Sequence, residues 1–423
     1  MSELSYLEKL MDGVEVEWLP LSKVFNLRNG YTPSKTKKEF WANGDIPWFR
    51  MDDIRENGRI LGNSLQKISS CAVKGGKLFP ENSILISTSA TIGEHALITV
   101  PHLANQRFTC LALKESYADC FDIKFLFYYC FSLAEWCRKN TTMSSFASVD
   151  MDGFKKFLIP RPCPDNPEKS LAIQSEIVRI LDKFTALTAE LTAELNMRKK
   201  QYNYYRDQLL SFDDEQEKPI YLEKLLDGVE VEWLPLGEVS ALRRGRVMSK
   251  GYLTENFGPY PVYSSQTANN GKIGSINTFD FDGEYIIWTT DGANAGTVFY
   301  RTGKFSITNV CGLITLKNKY PLIYKFLFYW LTIEAKKHVY SGMGNPKLMS
   351  HQVENIPVPV PCPDNPEKSL AIQSEIVRIL DKFDTLTNSI TEGLPREIEL
   401  RQKQYEYYRD LLFSFPKPET VSN

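Results

Sequence analysis

Two stretches of the chain carry apolar residues at the alternating three- and four-residue spacing of a coiled-coil helix. Prolines at 160, 162, 164 and 167 predict that the first helix begins near residue 168 and runs for about 43 residues, or about 65 Å at ~1.5 Å per residue. The first seam comprises Ile177, Leu181, Phe184, Thr188, Leu191, Leu195, Arg198, Tyr202, Tyr205, Leu209 and Phe212. The second comprises Ile376, Leu380, Phe383, Thr387, Ile390, Leu394, Ile398, Arg401, Tyr405, Tyr408, Leu412 and Phe415.

A helix of this length with one apolar stripe needs a partner in water. If a pseudo-twofold axis relates the two copies, the helices pair as an antiparallel coiled coil; alternatively, each helix packs on its own globular neighbour. The second copy has four more residues between Phe383 and Arg401. These predict a stutter of about one turn that leaves the seam in phase, and Gly393-Leu394-Pro395 predicts a kink or break there.

Residues 22–160 and 237–357 lack a strong helical period and contain short β-prone runs. Examples are Ser83–Ser87, Tyr285–Trp288 and Gly296–Tyr300. Each segment ends in an aromatic, helix-like stretch, at 123–138 and 322–338. The residues at 125–129 could stack on bases, but their spacing favours a buried core helix. The sequence therefore predicts an α+β protein with two globular mixed α/β domains.

The chain is a duplication. Cys163–Phe184 is identical to Cys362–Phe383, and Leu7–Leu21 returns with small changes at 222–236. The globular segments share little beyond Lys-Phe-Leu-Phe-Tyr, at 124–128 and 325–329. Constant helices with divergent inserts suggest two holders that carry two different reading domains, although inserts that drifted without meaning are the alternative. We predict globular domains at 1–162 and 216–361 and helical regions at 163–215 and 362–423, with a polar linker at 213–219.

Charge is segregated along the chain. Residues 22–160 hold 18 Lys and Arg against 13 Asp and Glu, and residues 237–357 hold 13 against 8. The helical regions and the first 21 residues are acidic, so the whole chain has a net charge of −2. Basic charge confined to particular domains is typical of polyanion binders. The sequence shows no signal peptide and no membrane span, and its eight scattered cysteines predict free thiols in a reducing cytoplasm.

Sequence motifs for catalysis or metal binding are absent. The sequence has no phosphate-binding GxxxxGK[ST] loop, no HExxH and no EF-hand loop, and its four histidines lack ligand spacing. Asn166-Pro167 and Asn365-Pro366 lack the second proline and the aromatic residue of the adenine methyltransferase loop. We therefore predict no catalytic residue, no metal site and no cofactor on this chain.

Polar side chains suited to base edges and phosphates cluster in turn-like places of both inserts. We predict that these residues contact DNA, although for any one of them a solvated loop side chain is the alternative. In the first insert they are Lys35, Lys37, Lys38, Arg50, Lys74, Lys77, Thr88, Ser89, Thr91, Asn105, Gln106 and Arg107. In the second they are Arg243, Arg244, Arg246, Ser264, Ser265, Gln266, Asn269, Asn270, Lys272, Asn294, Asn309, Asn345 and Lys347.

This layout resembles the DNA-specificity subunit of type I restriction–modification enzymes, over nearly the whole chain. The helix start at 171–178 and its copy from Leu370 are similar to the family's Leu-x-Glu-Gln-x-x-Ile-Val, with Ile-Gln in place of Glu-Gln. Three pieces are similar to recurrent parts of the family's target-recognition domains. They are Gly44-Asp45-Ile46-Pro47-Trp48-Phe49, Ala90-Thr91-Ile92-Gly93 and Gly258-Pro259-Tyr260-Pro261-Val262-Tyr263.

The resemblance implies a cytoplasmic, non-catalytic subunit whose two domains each recognise half of a split duplex-DNA target. It implies two methyltransferase (modification) subunits bringing S-adenosylmethionine, and restriction/translocase subunits bringing ATP and Mg²⁺. The helices would set the half-site spacing and dock the methyltransferases. Two alternatives from other classes are a self-contained DNA methyltransferase and a coiled-coil scaffold whose inserts bind proteins.

Overall fold

The chain divides into two units. A computed structural model describes residues 10, 13–142, 147–212, 220–226, 228–342, 344–389 and 391–416. Unit 1 comprises Met1–Glu190 with Glu399–Asn423, and unit 2 comprises Leu191–Ile398. Each unit therefore contains a globular segment and parts of both helical regions. The predicted linker 213–219 and the seam residue Ile390 lie outside the described residues, and the four-part domain division stays a prediction.

The globular part of unit 1 is a mixed α/β structure, as predicted. Its strands are β1 (Val16–Pro20), β2 (Phe25–Asn29), β3 (Ile46–Phe49), β4 (Ile60–Leu61), β5 (Lys67–Ile68), β6 (Ser83–Ser87), β7 (His95–Ile98), β8 (Leu103–Ala104), β9 (Phe108–Leu113), β10 (Thr141–Thr142), β11 (Ser148–Val149) and β12 (Leu158–Pro162). Its helices are α1 (Leu21–Val24), α2 (Met51–Asn57), α3 (Ile123–Lys139) and α4 (Met151–Lys156).

Unit 1 is organised around a sheet in the order β2-β9-β6-β7-β4, with a second sheet in the order β5-β3-β8. The strand predicted at Ser83–Ser87 is confirmed as β6, and all five of its residues are buried. Strand β1 pairs antiparallel with β12, which joins the start of the globular segment to its end.

Unit 2 repeats this plan. Its strands are β13 (Val231–Pro235), β14 (Ser240–Arg244), β15 (Phe257–Tyr263), β16 (Lys272–Ile276), β17 (Phe281–Thr289), β18 (Val298–Ile307), β19 (Cys311–Leu316) and β20 (Pro357–Pro361). The short helices around them are α6 (Ile220–Leu226), α7 (Leu236–Val239), α8 (Lys250–Glu255), α9 (Tyr324–Glu334) and α10 (Ser350–Val353). The strand predicted at 296–300 begins two residues later, at Val298.

The main sheet of unit 2 has the order β14-β19-β17-β18-β15-β16. Strand β18 occupies the place that β7 and β8 share in unit 1, since Trp288 pairs with Val298 as Ile86 pairs with His95. Pro101 lies between β7 and β8, and proline cannot donate a ladder hydrogen bond. In the place of the one main sheet of unit 2, unit 1 thus has a five-stranded and a three-stranded sheet.

The long helices are α5 (Pro167–Leu209), α11 (Pro366–Asn388) and α12 (Gly393–Leu412). The predicted start and length of α5 are confirmed, and so is the break near Gly393. The predicted stutter is wrong, because a stutter continues one helix, whereas α11 ends at Asn388 and α12 begins at Gly393. Gly393 has a φ of +76°, a conformation that favours glycine. None of the helices within the described ranges is long and apolar enough to cross a bilayer.

Within each unit the two helical regions pack in opposite directions. In unit 1, Phe184 of α5 stacks on Tyr408 of α12, with ring centroids 5.3 Å apart. The direction of α12 follows from its contacts with helix α3. Helix α3 is parallel to α5, because its start lies beside Gln174 and its following residues lie beside Asp182. Phe413 contacts Phe125 near that start, whereas Arg409 lies over the later Phe131, so α12 runs against both helices. Unit 2 repeats the stacking contact between Tyr205 of α5 and Phe383 of α11.

The repeated Lys-Phe-Leu-Phe-Tyr stretch attaches each globular part to its long helix. In unit 1 the Lys124 amine and the Tyr128 hydroxyl both lie 2.7 Å from the Asp182 carboxylate. In unit 2, Lys325 and Tyr329 contact Asp381 in the same way, at 2.6 and 2.7 Å. All five side chains at 125–129 are buried, so the predicted core helix is confirmed. The second aromatic helix is shorter than predicted, because α9 ends at Glu334 and a 3₁₀ turn follows it.

Candidate nucleic-acid interface

One arrangement of backbone hydrogen bonds recurs at a strand end in both units. In unit 1, Gly30 N donates to Phe108 O, Thr88 N to Arg107 O and Asn105 N to Phe49 O. In unit 2, Gly245 N donates to Cys311 O, Thr290 N to Val310 O and Thr308 N to Tyr263 O. We call this arrangement the strand-end frame. It shows that the globular parts of the two units are structurally equivalent, although their sequences share little.

The frame requires glycine at one position. A Cβ on Gly30 would lie 2.1 Å from the carbonyl oxygen of Asn105, and one on Gly245 would lie 2.3 Å from that of Ile307. Real Cβ atoms do not approach backbone oxygen so closely, so another residue here would displace the turn. The structure also places the family-like pieces that begin at Gly44 and Gly258 in equivalent strands, β3 and β15.

In unit 1, polar side chains surround the frame. Thr109 Oγ1 lies 3.1 Å from Thr88 Oγ1 and donates to Asn29 Oδ1 at 3.0 Å. Asn105 accepts a hydrogen bond from the backbone N–H of Arg107 at 3.0 Å. Gln106 Oε1 accepts from the Thr32 hydroxyl. The turn at 105–107 thus holds its side chains in defined positions.

A basic cleft of about 780 Å³ opens beside this turn. Six of the predicted residues line it: Lys35, Lys38, Arg50, Asn105, Gln106 and Arg107. Trp48 forms part of its wall and is packed edge-on by Trp41, with centroids 5.1 Å apart. Lysine, arginine and amide side chains beside aromatic rings suit a nucleic-acid backbone and base edges.

The remaining predicted residues of unit 1 lie outside this cleft. Lys37 and Lys74 are exposed, and their amines lie over the rings of Phe40 and Tyr31. Lys77 is exposed on a neighbouring turn. Ser89 is half-buried, and Thr91 lines a second depression with Arg55, Arg59 and Arg138. The two depressions share Met51 and Arg55, so they are neighbours.

In unit 2 the strand-end frame carries Arg244. Its Nη2 donates to Thr290 Oγ1 at 3.2 Å and to Asn309 O at 2.7 Å. The same nitrogen lies 4.0 Å from the Asp291 carboxylate. Arg246 instead forms an ion pair with Asp280 at 3.0 Å and donates a hydrogen bond to the Tyr252 hydroxyl. The hydrogen bond to Tyr252 and the contact with Asp280 both raise the pKa of the Arg246 guanidinium.

The predicted residues between 264 and 270 lie in the loop that joins β15 to β16, and Lys272 is the first residue of β16. Ser264 Oγ accepts from Thr308 at 2.9 Å, Ser265 O from Asn294 at 3.1 Å, and Lys272 O from Gln266 at 2.7 Å. Asn269 and Asn270 both have left-handed φ, 49° and 52°. Arg301 of β18 stabilises the loop, because its Nη2 donates to Asn270 O at 2.5 Å.

Arg301 is unusual because it is only 7% exposed. Its guanidinium lies 4.0 Å from the ring centroid of Tyr263 and 4.6 Å from that of Phe299. Burial lowers its pKa below the ordinary value. Cation–π contacts offset part of the cost of burying this charge.

Three other predicted residues of unit 2, Arg243, Asn345 and Lys347, also lie outside that loop. Arg243 lies over the Phe281 ring, at 5.3 Å from its centroid. Asn345 is exposed, as is Lys347. Lys347 forms backbone bridges to Asp291 and Tyr340, which brings the 345–347 turn to the frame.

Sequence reasoning missed several residues that the fold brings to these sites. They are Asn29, Thr32, Trp41, Trp48, Arg55, Gln66, Thr290, Asp291 and Arg301. A signal for Asn29 existed, because the 215-residue offset of the first repeat continues to Leu27-Arg28-Asn29-Gly30 and Leu242-Arg243-Arg244-Gly245. No group of three or more His, Cys, Asp or Glu in the described part of the chain could hold a metal ion. The DNA contacts themselves stay a prediction.

Two equivalent folds with different polar side chains on one frame, attached to duplicated helices, define a recognition protein with two reading units. The family model described as "Type I restriction modification DNA specificity domain" matches residues 13–198 and 228–400. The chain therefore belongs to the type I restriction–modification DNA-specificity family. It is a DNA-recognition subunit and not an enzyme.

Curated relatives agree with this assignment, and solved structures agree with the fold. The chain is 65% identical over 396 residues to the EcoprrI specificity subunit of Escherichia coli, covering 93% of each protein. It is 39% identical to the EcoR124I/EcoR124II specificity subunit of E. coli, covering 100% of both. Its fold is similar to the S subunit from M. genitalium, with a TM-score of 0.53, 16% identity, and coverage of 96% of this chain and 98% of that one. A chain from a structure of a type I R-M system gives a TM-score of 0.57 at 14% identity, covering 94% of this chain and 97% of that one.

Proposed function

We propose that each unit recognises one half of a bipartite duplex-DNA target and that the helical regions set the number of unread base pairs between the halves. The observation that carries this proposal is the strand-end frame, which recurs in both units with different side chains. A conserved backbone with variable polar groups is what two distinct half-sites require, because base edges differ in their donors and acceptors.

The cleft of unit 1 supplies positive charge for contacts with the phosphate backbone of DNA. Lys35, Lys38, Arg50, Arg55 and Arg107 line it, with Asp52 as the acidic residue among the lining groups. Phosphate neutralisation releases counterions, so we expect DNA affinity to fall steeply as salt rises. Replacing Lys35 with Gln should reduce the slope of log K against log salt by about one, without changing the recognised bases. A slope equal to that of the unaltered protein would contradict this role.

The spacing role is tested on α5, which is continuous through both units. Inserting or deleting four residues near Leu195 shifts the helix by about one turn, or ~6 Å. We expect the unread spacer to change length while both half-sites keep their sequences. An unchanged spacer with an altered half-site would contradict the proposal.

The helices also offer a matched pair of docking positions. Tyr204 and Tyr407 occupy equivalent places in the repeats and are 61% and 60% exposed. Each ring packs edge-on against the next tyrosine at the same centroid distance, 5.4 Å. Two identical exposed aromatic groups suit two copies of one partner, since aromatic side chains dominate interface energetics.

We propose that these partners are two methyltransferase subunits, which carry S-adenosylmethionine, and that restriction/translocase subunits with ATP and Mg²⁺ join them in the cytoplasm. Replacing Tyr204 with Ala should weaken the binding of one methyltransferase copy, and Tyr407→Ala that of the other, as counted by native mass spectrometry. Leu65→Ala, an exposed residue off the helices, is the control. Full occupancy in both tyrosine variants would refute this docking site, and methyl transfer by the chain alone would refute the subunit role.

A further inference from the structure

One tetrapeptide is shared by the two units except at a single position. Leu27-Arg28-Asn29-Gly30 ends β2 and Leu242-Arg243-Arg244-Gly245 ends β14. Only the third residue differs, Asn29 in unit 1 and Arg244 in unit 2. Around it the backbone is equivalent, because both glycines donate into the strand-end frame. The backbone is thus held constant while one side chain changes.

Both side chains of this specificity pair, Asn29 and Arg244, belong to exposed residues at the end of a sheet strand. Asn29 lies opposite Thr109 in the β2–β9 ladder, and Arg244 lies opposite Gly312 in the β14–β19 ladder. Each is oriented by the frame itself. Thr109 donates to Asn29 Oδ1, which leaves the Asn29 amide N–H groups as donors, and Arg244 uses Nη2 for Thr290 and Asn309.

Resting on the proposed function, we propose that the specificity pair determines one base of each half-site. Arg244 contacts guanine through its Nη1, whose N–H groups are not used within the frame and donate to one guanine acceptor, O6 or N7. Asn29 donates to a base acceptor in the other half-site. One changed residue on a shared frame therefore gives the two units different preferences at the same structural position.

The nearby carboxylate does not remove Arg244 from this role. Asp291 lies 4.0 Å from Arg244 Nη2, and both side chains are 33% exposed. A partly exposed ion pair at this distance contributes little to stability. Asp291 also accepts a hydrogen bond from Thr290 Oγ1 at 2.6 Å, so it positions the threonine that Arg244 contacts.

The test uses the chain assembled with its methyltransferase partner. Methylated sites are mapped in DNA from cells expressing each variant, and methylation rates are measured on duplexes that differ at one base pair. For Arg244→Gln we expect about a tenfold loss of discrimination for guanine at one position of one half-site, the size expected for one hydrogen bond from a charged group. Asn29→Ala should relax one position of the other half-site. Lys304→Gln removes one positive charge elsewhere on the same sheet and should leave the motif unchanged.

The outcomes separate this proposal from the function on which it rests. A bipartite motif in the unaltered complex that stays identical in Arg244→Gln would overturn the proposal and leave the proposed function standing. So would a uniform loss of methylation without a change of motif. If the Gln variant does not assemble, Arg244→Lys decides: we expect weaker discrimination at one position, and an unchanged motif overturns the proposal. No bipartite motif in the unaltered complex would overturn the proposed function itself.

Discussion

Gln174 attaches α5 to the globular part of unit 1, and its loss should destabilise that unit alone. Its side chain is fully buried. Its amide accepts from Asp122 N at 2.9 Å and donates to Cys120 O at 2.9 Å. The Gln174→Ala change leaves both backbone groups without these partners, at about 1–3 kcal/mol each. We therefore expect a loss of about 2–6 kcal/mol in the free energy of unfolding.

In urea, with a slope of about 2 kcal/mol/M, this loss lowers the unfolding midpoint by roughly 1–3 M. In Gln174→Ala, hydrogen exchange should show a loss of protection around residues 120–140 and unchanged protection around residues 321–338. Gln373→Ala should produce the reverse, because Gln373 makes the same contacts to Ile323 N and Pro321 O. The control is Gln402→Ala, an exposed residue of α12. If Gln174→Ala shifts the midpoint no more than this control, the reasoning is refuted.

Two further predictions concern stability. Gly245→Ala should lower the free energy of unfolding in urea by about 1–3 kcal/mol, because the added Cβ would meet the carbonyl groups of the turn. The control Gly251→Ala, which has room for a Cβ in α8, should not lower it. Equal stabilities of the two variants would contradict the requirement for glycine in the strand-end frame. Burial and the charge of Arg59 lower the pKa of His95 to about 3, against about 6.5 when unfolded. Between about pH 6.5 and pH 3, His95 is therefore protonated in the unfolded state and neutral in the folded state. The free energy of unfolding should thus fall as the pH is lowered from about 6.5 toward 3. The slope between pH 7 and 5 should be smaller in His95→Phe, and the same slope in both proteins would argue against this assignment.

The helices and the duplication were predictable because they are periodic along the chain. A seam of apolar residues reports directly on a helix face, and prolines mark where the helix can begin. The break predicted from Gly393-Leu394-Pro395 is confirmed, whereas the four-residue insertion was wrongly interpreted as a stutter. Spacing alone does not show whether extra residues extend a helix or connect two helices, and Gly393 with its left-handed φ favours the connection.

The site residues were only partly predictable because long-range strand pairing assembles them. Asn29 meets Thr109 across 80 residues, and Arg244 meets Asn309 across 65. Local composition identifies polar turns, but it does not show which turns share a sheet edge. Arg301 was missed for another reason: it lies within a strand and is buried, whereas the sequence criteria favoured exposed turns.

The most direct test of the central claim exchanges residues 22–160 for the corresponding segment of a family member with a different target. The chimaera is expressed with the methyltransferase subunits, and methylated bases are mapped by sequencing. We predict that one half-site takes the donor's sequence while the other half-site and the spacer stay unchanged. A change in both half-sites, or in neither, would contradict the claim that each unit recognises its own half of the target.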